Sequence, residues 1–311
     1  MIGPMERALF FKSLDPFQDA TAAEIAVFAE NARERTFRAG DVLLERGRRV
    51  PAFHAILDGT VRAVGGEYLD GAEVGARQPL GLLSLLARRE AGLHAVAQED
   101  VTTLVFTEDV FLDLLEDRFG VLLRLIGRLA ARTLEVRQQV PDGAYLAPMD
   151  DTFEIRGDRL DLVERLLLIR RPGSPFASAS MEAMARLAAV TPIELFEAGE
   201  TIWKPGDRST HALILVRGVV ACTTQWGFSR FRAGPGYPLG NLERFSGDPR
   251  WFTAVAETPV MAIHSKTEEL FDIMEDHPDM ALALARSMAE RVIAIREEQA
   301  EEQGSVGVSA A

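Results

Sequence analysis

The stretch 237–257, YPLGNLERFSGDPRWFTAVAE, sets Gly240 ahead of a helix-length segment that ends in a Pro249-Arg250 pair beside two bulky aromatics, Trp251 and Phe252. These residue types at this spacing suit phosphate binding. The first amides of a helix have no partner inside the helix and point outward, so they attract an anion. A returning arginine presents a planar fork of donors that matches a phosphate.

No other group in the chain reads as a reaction centre. The motifs G-x-S-x-G, H-E-x-x-H, G-x-x-x-x-G-K-[ST] and C-x-x-C are absent. The five histidines, His54, His94, His211, His264 and His277, include no H-x-H pair, and His54 and His211 read as strand residues rather than metal ligands. Paired acids such as Asp150-Asp151 read as solvated. The single cysteine, Cys222, excludes an intrachain disulfide and a zinc site built on several thiolates. The expectation is a protein that is not an enzyme and carries no metal.

Charge narrows the class further. The 311 residues carry 47 acids against 34 bases, a net charge of −13. That balance opposes binding to nucleic acid by general phosphate attraction. The N-terminal MIGPMERALFFK lacks the pattern of a secretory signal, and no window offers the apolar run a membrane helix needs. A cytoplasmic protein with no membrane and no nucleic-acid partner is expected.

The elements that would position Gly240 and Arg250 occur twice. FRAGDVLLERGRRVPAFHAILDGTVRAV (37–64) aligns with FEAGETIWKPGDRSTHALILVRGVVACT (196–223) at an offset of 159 residues (218 − 59). The same offset carries PLG 79–81 onto 238–240, AVA 95–97 onto 254–256, and Arg132 onto Arg291. An unbroken offset of this length marks a duplication. The boundaries expected are a first domain at 1–140, a connector at 141–157 rich in Pro, Gly and Asp, a second domain at 158–303, and a tail at 304–311.

Each copy has the same order. Helical spacing covers 21–34 and 180–190, with Thr21 and Glu24 placed for a capping box. Short β-branched runs punctuated by glycine follow, as in a small barrel or jelly roll. Gly59 and Gly218 each stand between two apolar strands, where a tight hairpin needs positive φ. Long helices are expected over 108–139 and 267–303. The fold class is α+β: two tandem β-barrel or jelly-roll domains, each flanked by helices.

FRAGDVLLERG with ILDGTV, and FEAGETIWKPG with LVRGVV, resemble the cyclic nucleotide-binding domain family, twice and over nearly the whole chain. The relatives implied are bacterial catabolite-activator-type and kinase-regulatory-subunit-type proteins. In the family, the cassette is similar to F-G-E-L-A-L followed by P-R-A-A. The resemblance implies that Arg250 pairs with the cyclic phosphate, that amides near Gly240–Leu242 cap it, and that Asn241 contacts the ribose. Trp251 and Thr253 complete the set, and cAMP or cGMP is the implied ligand of copy 2.

Departures from the family pattern are specific. Asn241 replaces the family's glutamate, and Trp251 and Phe252 stand where small residues are usual. In copy 1, Leu82 replaces the glutamate and Ala91 falls where Arg250 falls in copy 2, so that cassette reads as degenerate. Arg88 and Arg89 nearby either form a solvated turn or reach into the site from another angle, and copy 1 is expected to be ligand-silent or to bind something unrelated. No recognition helix follows either copy, which sets aside a DNA-binding module. The implied function is regulatory. Copy 2 would sense a cyclic nucleotide or other small anion and relay it through its C-terminal helices to a protein partner. The alternative is a ligand-independent scaffold whose pockets are closed by Trp251 and Phe252. A homodimer through the long helices 108–139 or 267–303 is also expected, from the stripe Leu122, Leu125, Ile126, Leu129 and Leu134.

Overall fold

A computed structural model describes residues 2–14, 17–88, 92–138, 159–171, 174–224 and 230–308. The expected connector 141–157, Arg89 and Ala91 lie outside these residues.

Copy 1 opens with helices α1 (Pro4–Lys12) and α2 (Ala22–Asn31). Strands β1 (Arg33–Phe37), β2 (Val42–Leu44), β3 (Ala52–Asp58), β4 (Val61–Gly65), β5 (Tyr68–Val74) and β6 (Pro79–Leu80) follow, then a short helix α3 (Leu82–Ala87). Strands β7 (His94–Ala97) and β8 (Val101–Thr107) lead into α4 (Glu108–Asp117) and α5 (Phe119–Gln138). Copy 2 repeats the order. Its helices α6 (Leu162–Ile169) and α7 (Met181–Val190) precede β9 (Ile193–Phe196), β10 (Thr201–Trp203), β11 (His211–Arg217), β12 (Val220–Thr224), β13 (Arg230–Ala233) and β14 (Pro238–Leu239). Then come α8 (Asn241–Ser246), β15 (Phe252–Ala256), β16 (Val260–Lys266), α9 (Thr267–Asp276) and α10 (Pro278–Val308).

Each copy folds its strands into two antiparallel four-stranded sheets, ordered β1-β8-β3-β6 and β2-β7-β4-β5 in copy 1. Copy 2 has β9-β16-β11-β14 and β10-β15-β12-β13, the same order. The expected α+β jelly-roll arrangement is thus present twice. Local signals explain the elements. Thr21 and Glu24 form the expected capping box on α2, and Asp161 with Glu164 forms another on α6. Gly59 and Gly218 turn β3 into β4 and β11 into β12 with φ of 86° and 88°. A Cβ there would stand 2.5 Å from Asp100 O and 2.3 Å from Pro259 O, so glycine is required on two counts.

The long helices differ from expectation. Each is broken once, because Arg118 and His277 leave helical geometry (ψ 68° and 75°) between α4 and α5 and between α9 and α10. Pro278 then starts α10, a position that needs no amide. Helix α10 also continues to Val308, past the expected start of the tail.

The described chain packs as two compact units. One reaches Leu125 and is completed by residues from Ala285 onward; the other is Ile126–Leu284. Each unit therefore includes helix from the other copy. In the second, Gly127 of α5 lies on α8, where an added Cβ would stand 2.9 Å from Phe245 O. Leu122, Leu125, Ile126 and Leu129 of α5 are all buried within the chain. The first unit is centred on edge-to-face rings, with Phe11, Phe28 and Phe106 fully buried. Copy 2 has its own core, in which Cys222 is a buried packing residue beside Trp203, Leu213, Tyr237 and Phe252.

Candidate functional site

Gly240 caps α8 in the left-handed region at φ 72°, which turns β14 directly into the helix. Arg250 sits just before β15 and is 1% exposed. The two expected anchors therefore meet, but in a closed arrangement. Nη1 of Arg250 donates to the carbonyl of Gly240 at 2.8 Å, and Nη2 donates to the carbonyl of His211. The guanidinium lies 4.0 Å from the centroid of the Trp203 ring. A Cβ on Gly240 would stand 2.2 Å from Arg250 Nη1, so glycine here makes room for the protein's own arginine.

Aromatic side chains fill the interior behind it. Phe252 packs edge-on against Trp203 and against Phe231, whose ring stacks with Trp251 at 6.2 Å. Phe252 and Trp203 are buried, and Trp251 is partly buried. Small residues at these positions would leave a hollow; these four rings occupy it.

A second layer of charge surrounds Arg250. Burial pulls its basicity down, while the carboxylates of Glu243 and Asp207 push it back up. Arg244, the next helix residue after Glu243, is buried and donates to Ser265 O at 2.9 Å. Burial first, and the charge of Arg250 second, lower the Arg244 pKa to about 9. His211 and His264 face each other with ring centroids 4.5 Å apart, and His264 Nδ1 contacts Glu194 at 2.6 Å. Burial, then the charges of His264, Arg250 and Arg244, push His211 down to about 4, so it is neutral at pH 7.

The remaining expected residues fall as follows. Asn241 opens α8 half-exposed, and Leu242 is buried at 7%. Thr253 alternates away from Phe252 and Ala254, which line the core, and pairs with Thr223 on the opposite face of the strand. Trp203 and His211 were not singled out from the sequence, because each reads as an ordinary strand residue. Their only signal is positional: Leu44 and Ala52 occupy the matching sites in copy 1.

Copy 1 is closed by a different device. Gly81 caps α3 at φ 81°, as Gly240 caps α8. The carboxylate of Glu67, from the turn between β4 and β5, accepts from the backbone amides of Leu83 and Ser84 and from Ser84 Oγ at 2.6 Å. An internal carboxylate thus satisfies the helix amides that would face an anion. Desolvation raises the pKa of Glu67 against these hydrogen bonds. Sequence reasoning missed Glu67, which lies in an unremarkable GGEY turn.

The cyclic nucleotide-binding domain model matches residues 34–118 and 193–277, together more than half of the chain, and the chain belongs to that family. Among curated proteins it is similar to the global nitrogen regulators of Synechocystis sp. and Nostoc sp., each 23% identical over 107 residues. That alignment covers 32% of this chain and 48% of each relative, so the chain spans about half the length of the curated relatives it matches. Among solved structures it is similar to a regulatory subunit of a cAMP-independent protein kinase A from Trypanosoma brucei (14% identity, TM-score 0.35, 96% of this chain and 89% of that one). It is also similar to the regulatory domain of Toxoplasma gondii protein kinase A crystallised with cAMP (11% identity, TM-score 0.34, 97% of each chain). No described helix is long and apolar enough to cross a membrane.

Proposed function

We propose that this chain is a cytoplasmic, non-enzymatic regulatory protein that acts on a protein partner without a cyclic nucleotide. The duplicated unit is taken as 1–140 and 158–303. One observation carries the reading: the guanidinium of Arg250 is held by the carbonyls of Gly240 and His211 beneath Trp203. A cyclic phosphate would have to displace all three contacts and find space among Trp203, Phe231, Trp251 and Phe252. The capture of the α3 amides by Glu67 supports the same reading for copy 1. Exposed apolar residues on α6, Leu162, Val163 and Leu167, support a protein partner. The apolar stripe of α5 is used inside the chain, so the proposal does not include a homodimer through that helix.

A second reading, in which copy 2 takes up cAMP, cGMP or another small anion and relays it through α9 and α10, is favoured by one observation. Nε of Arg250 and Nε of Arg244 are buried without hydrogen-bond partners. Tryptophan emission separates the two readings, since Trp203 and Trp251 flank the site. Unchanged emission with millimolar cAMP or cGMP supports the closed regulator. A saturable change that is lost in Arg250→Ala supports the sensor.

A further inference from the structure

The first helix of each copy is duplicated too, and it leaves the same apolar positions uncovered. MERALFFK (5–12) on α1 aligns with VERLLLIR (163–170) on α6. The shared residues make matching contacts. Glu6 and Glu164 each accept from the backbone amide of the helix cap, at 2.7 and 2.9 Å. Arg7 and Arg165 each donate to a carbonyl at the end of the next helix, Ala32 O and Thr191 O. Phe11 and Ile169 are buried. On the other side of each helix, Met5 and Leu9 are 74% and 65% exposed, and Val163 and Leu167 are 61% and 56% exposed. A single apolar side chain in water is ordinary. A pair four residues apart on one helix face, present in both copies, marks a face that is used.

The two faces differ in charge. Helix α6 begins at the exposed cap carboxylate of Asp161 and ends at Arg170, an exposed cation whose Nη1 meets a weak acceptor, Met181 Sδ, at 3.4 Å. Helix α1 begins at Gly3, and Lys12 at its end donates to Ala20 O at 2.9 Å. Helix α6 also exposes Leu162, where α1 has Pro4. The bonds of Arg165 to Ala188 O and Thr191 O set α6 beside the end of α7 and the start of β9, where Val190 and Leu195 are exposed as well.

We propose that α6 pairs antiparallel with α6 of a second copy of this chain. The proposal rests on the reading that α6 meets a protein, and it names that protein. In the antiparallel register Val163 lies against Leu167 of the partner subunit, and Leu167 against the partner's Val163, an isologous seam. Arg170 then falls within about one residue of the partner's Asp161, and symmetry repeats the pair at the other end. Antiparallel helix dipoles add to the attraction. A parallel pair would instead set Arg170 beside its own copy. Helix α1 lacks this complement, because Gly3 brings no carboxylate to its start. The seam is small, which suits a reversible dimer rather than an obligate one. The state of the two cassettes does not enter.

The test is sedimentation equilibrium of the full chain from micromolar to submillimolar concentration. The mass is expected to rise reversibly from that of one chain to that of two, and to rise less in high salt. Leu167→Glu is expected to hold the chain at the mass of one copy throughout. Val163→Glu gives the same comparison should Leu167→Glu fail to fold. Arg170→Glu is expected to weaken association by about tenfold, since it turns two attractions into two repulsions. Leu9→Glu, the same change on α1, is expected to leave association unchanged. The mass of one chain at every concentration would overturn the proposal. So would association that survives both Leu167→Glu and Val163→Glu, or that Leu9→Glu abolishes. Tryptophan emission with millimolar cAMP on the same samples tests the closed regulator separately, so the two readings fail independently.

Discussion

The guanidinium of Arg250 stands 4.0 Å from the ring centroid of Trp203 and donates to the carbonyl of Gly240, the residue that caps the neighbouring helix. The arginine expected to face a phosphate is a structural pin in this arrangement. Truncation should therefore cost stability. Arg250→Ala removes two charge-assisted hydrogen bonds and a cation–π contact, and is expected to destabilise copy 2 by about 2–4 kcal/mol in urea melts. A variant as stable as the parent would mean that the contacts contribute nothing in solution.

Trp203 is expected to behave as core. Trp203→Ala should cost about 3–5 kcal/mol and leave a cavity above Arg250. The matching residue of copy 1, Leu44, suggests the milder substitution Trp203→Leu. Gain of cAMP binding in that variant, read by calorimetry, would show that the indole is what closes the site. No gain would place the closure on Phe252 and Trp251.

Much of the frame was legible in the sequence, and the reasons are physical. Gly59, Gly218, Gly81 and Gly240 are forced by positive φ, so the turns and caps could be read from glycine spacing at one offset. Alternating apolar runs gave the strands, and Thr21 with Glu24 gave a helix start. The break at Arg118 was hidden because the apolar period continues across it, whereas the break at His277 is marked by Pro278, which cannot continue a helix from the preceding turn. The state of the site was not legible either. Whether Arg250 points at solvent or at its own carbonyls depends on Trp203 and His211, which lie 47 and 39 residues away (250 − 203 and 250 − 211). Glu67 was hidden for the same reason: a carboxylate in a turn becomes an internal ligand only through long-range packing on α3.

Glu67 gives a pH signature. Its folded pKa is raised by desolvation, so the folded state holds its proton more tightly than the unfolded chain. Its contribution to stability is then present below the unfolded carboxylate range and lost as pH rises through the folded pKa. Glu67→Gln removes this dependence, so its melting temperature relative to the parent should rise between acidic and neutral pH. A constant difference would remove Glu67 from the account.

His211 acts in the opposite direction. With its folded pKa pushed down to about 4 from an ordinary value of 6.5, the unfolded chain binds the proton more readily. Stability from this group is complete above pH 6.5 and falls as pH drops toward 4. His211→Gln keeps the backbone carbonyl that receives Arg250 and should flatten the acid limb of stability against pH. His54, also pushed to about 4 by burial, should retain its own share in that variant.

The central claim is that the copy 2 cassette is closed on its own arginine. Calorimetric titration of the full chain with cAMP, beside Arg250→Ala and the exposed-site control Arg170→Met, tests it most directly. The account predicts no saturable heat assignable to Arg250 at millimolar cAMP. Saturable binding abolished by Arg250→Ala but retained in Arg170→Met would contradict it.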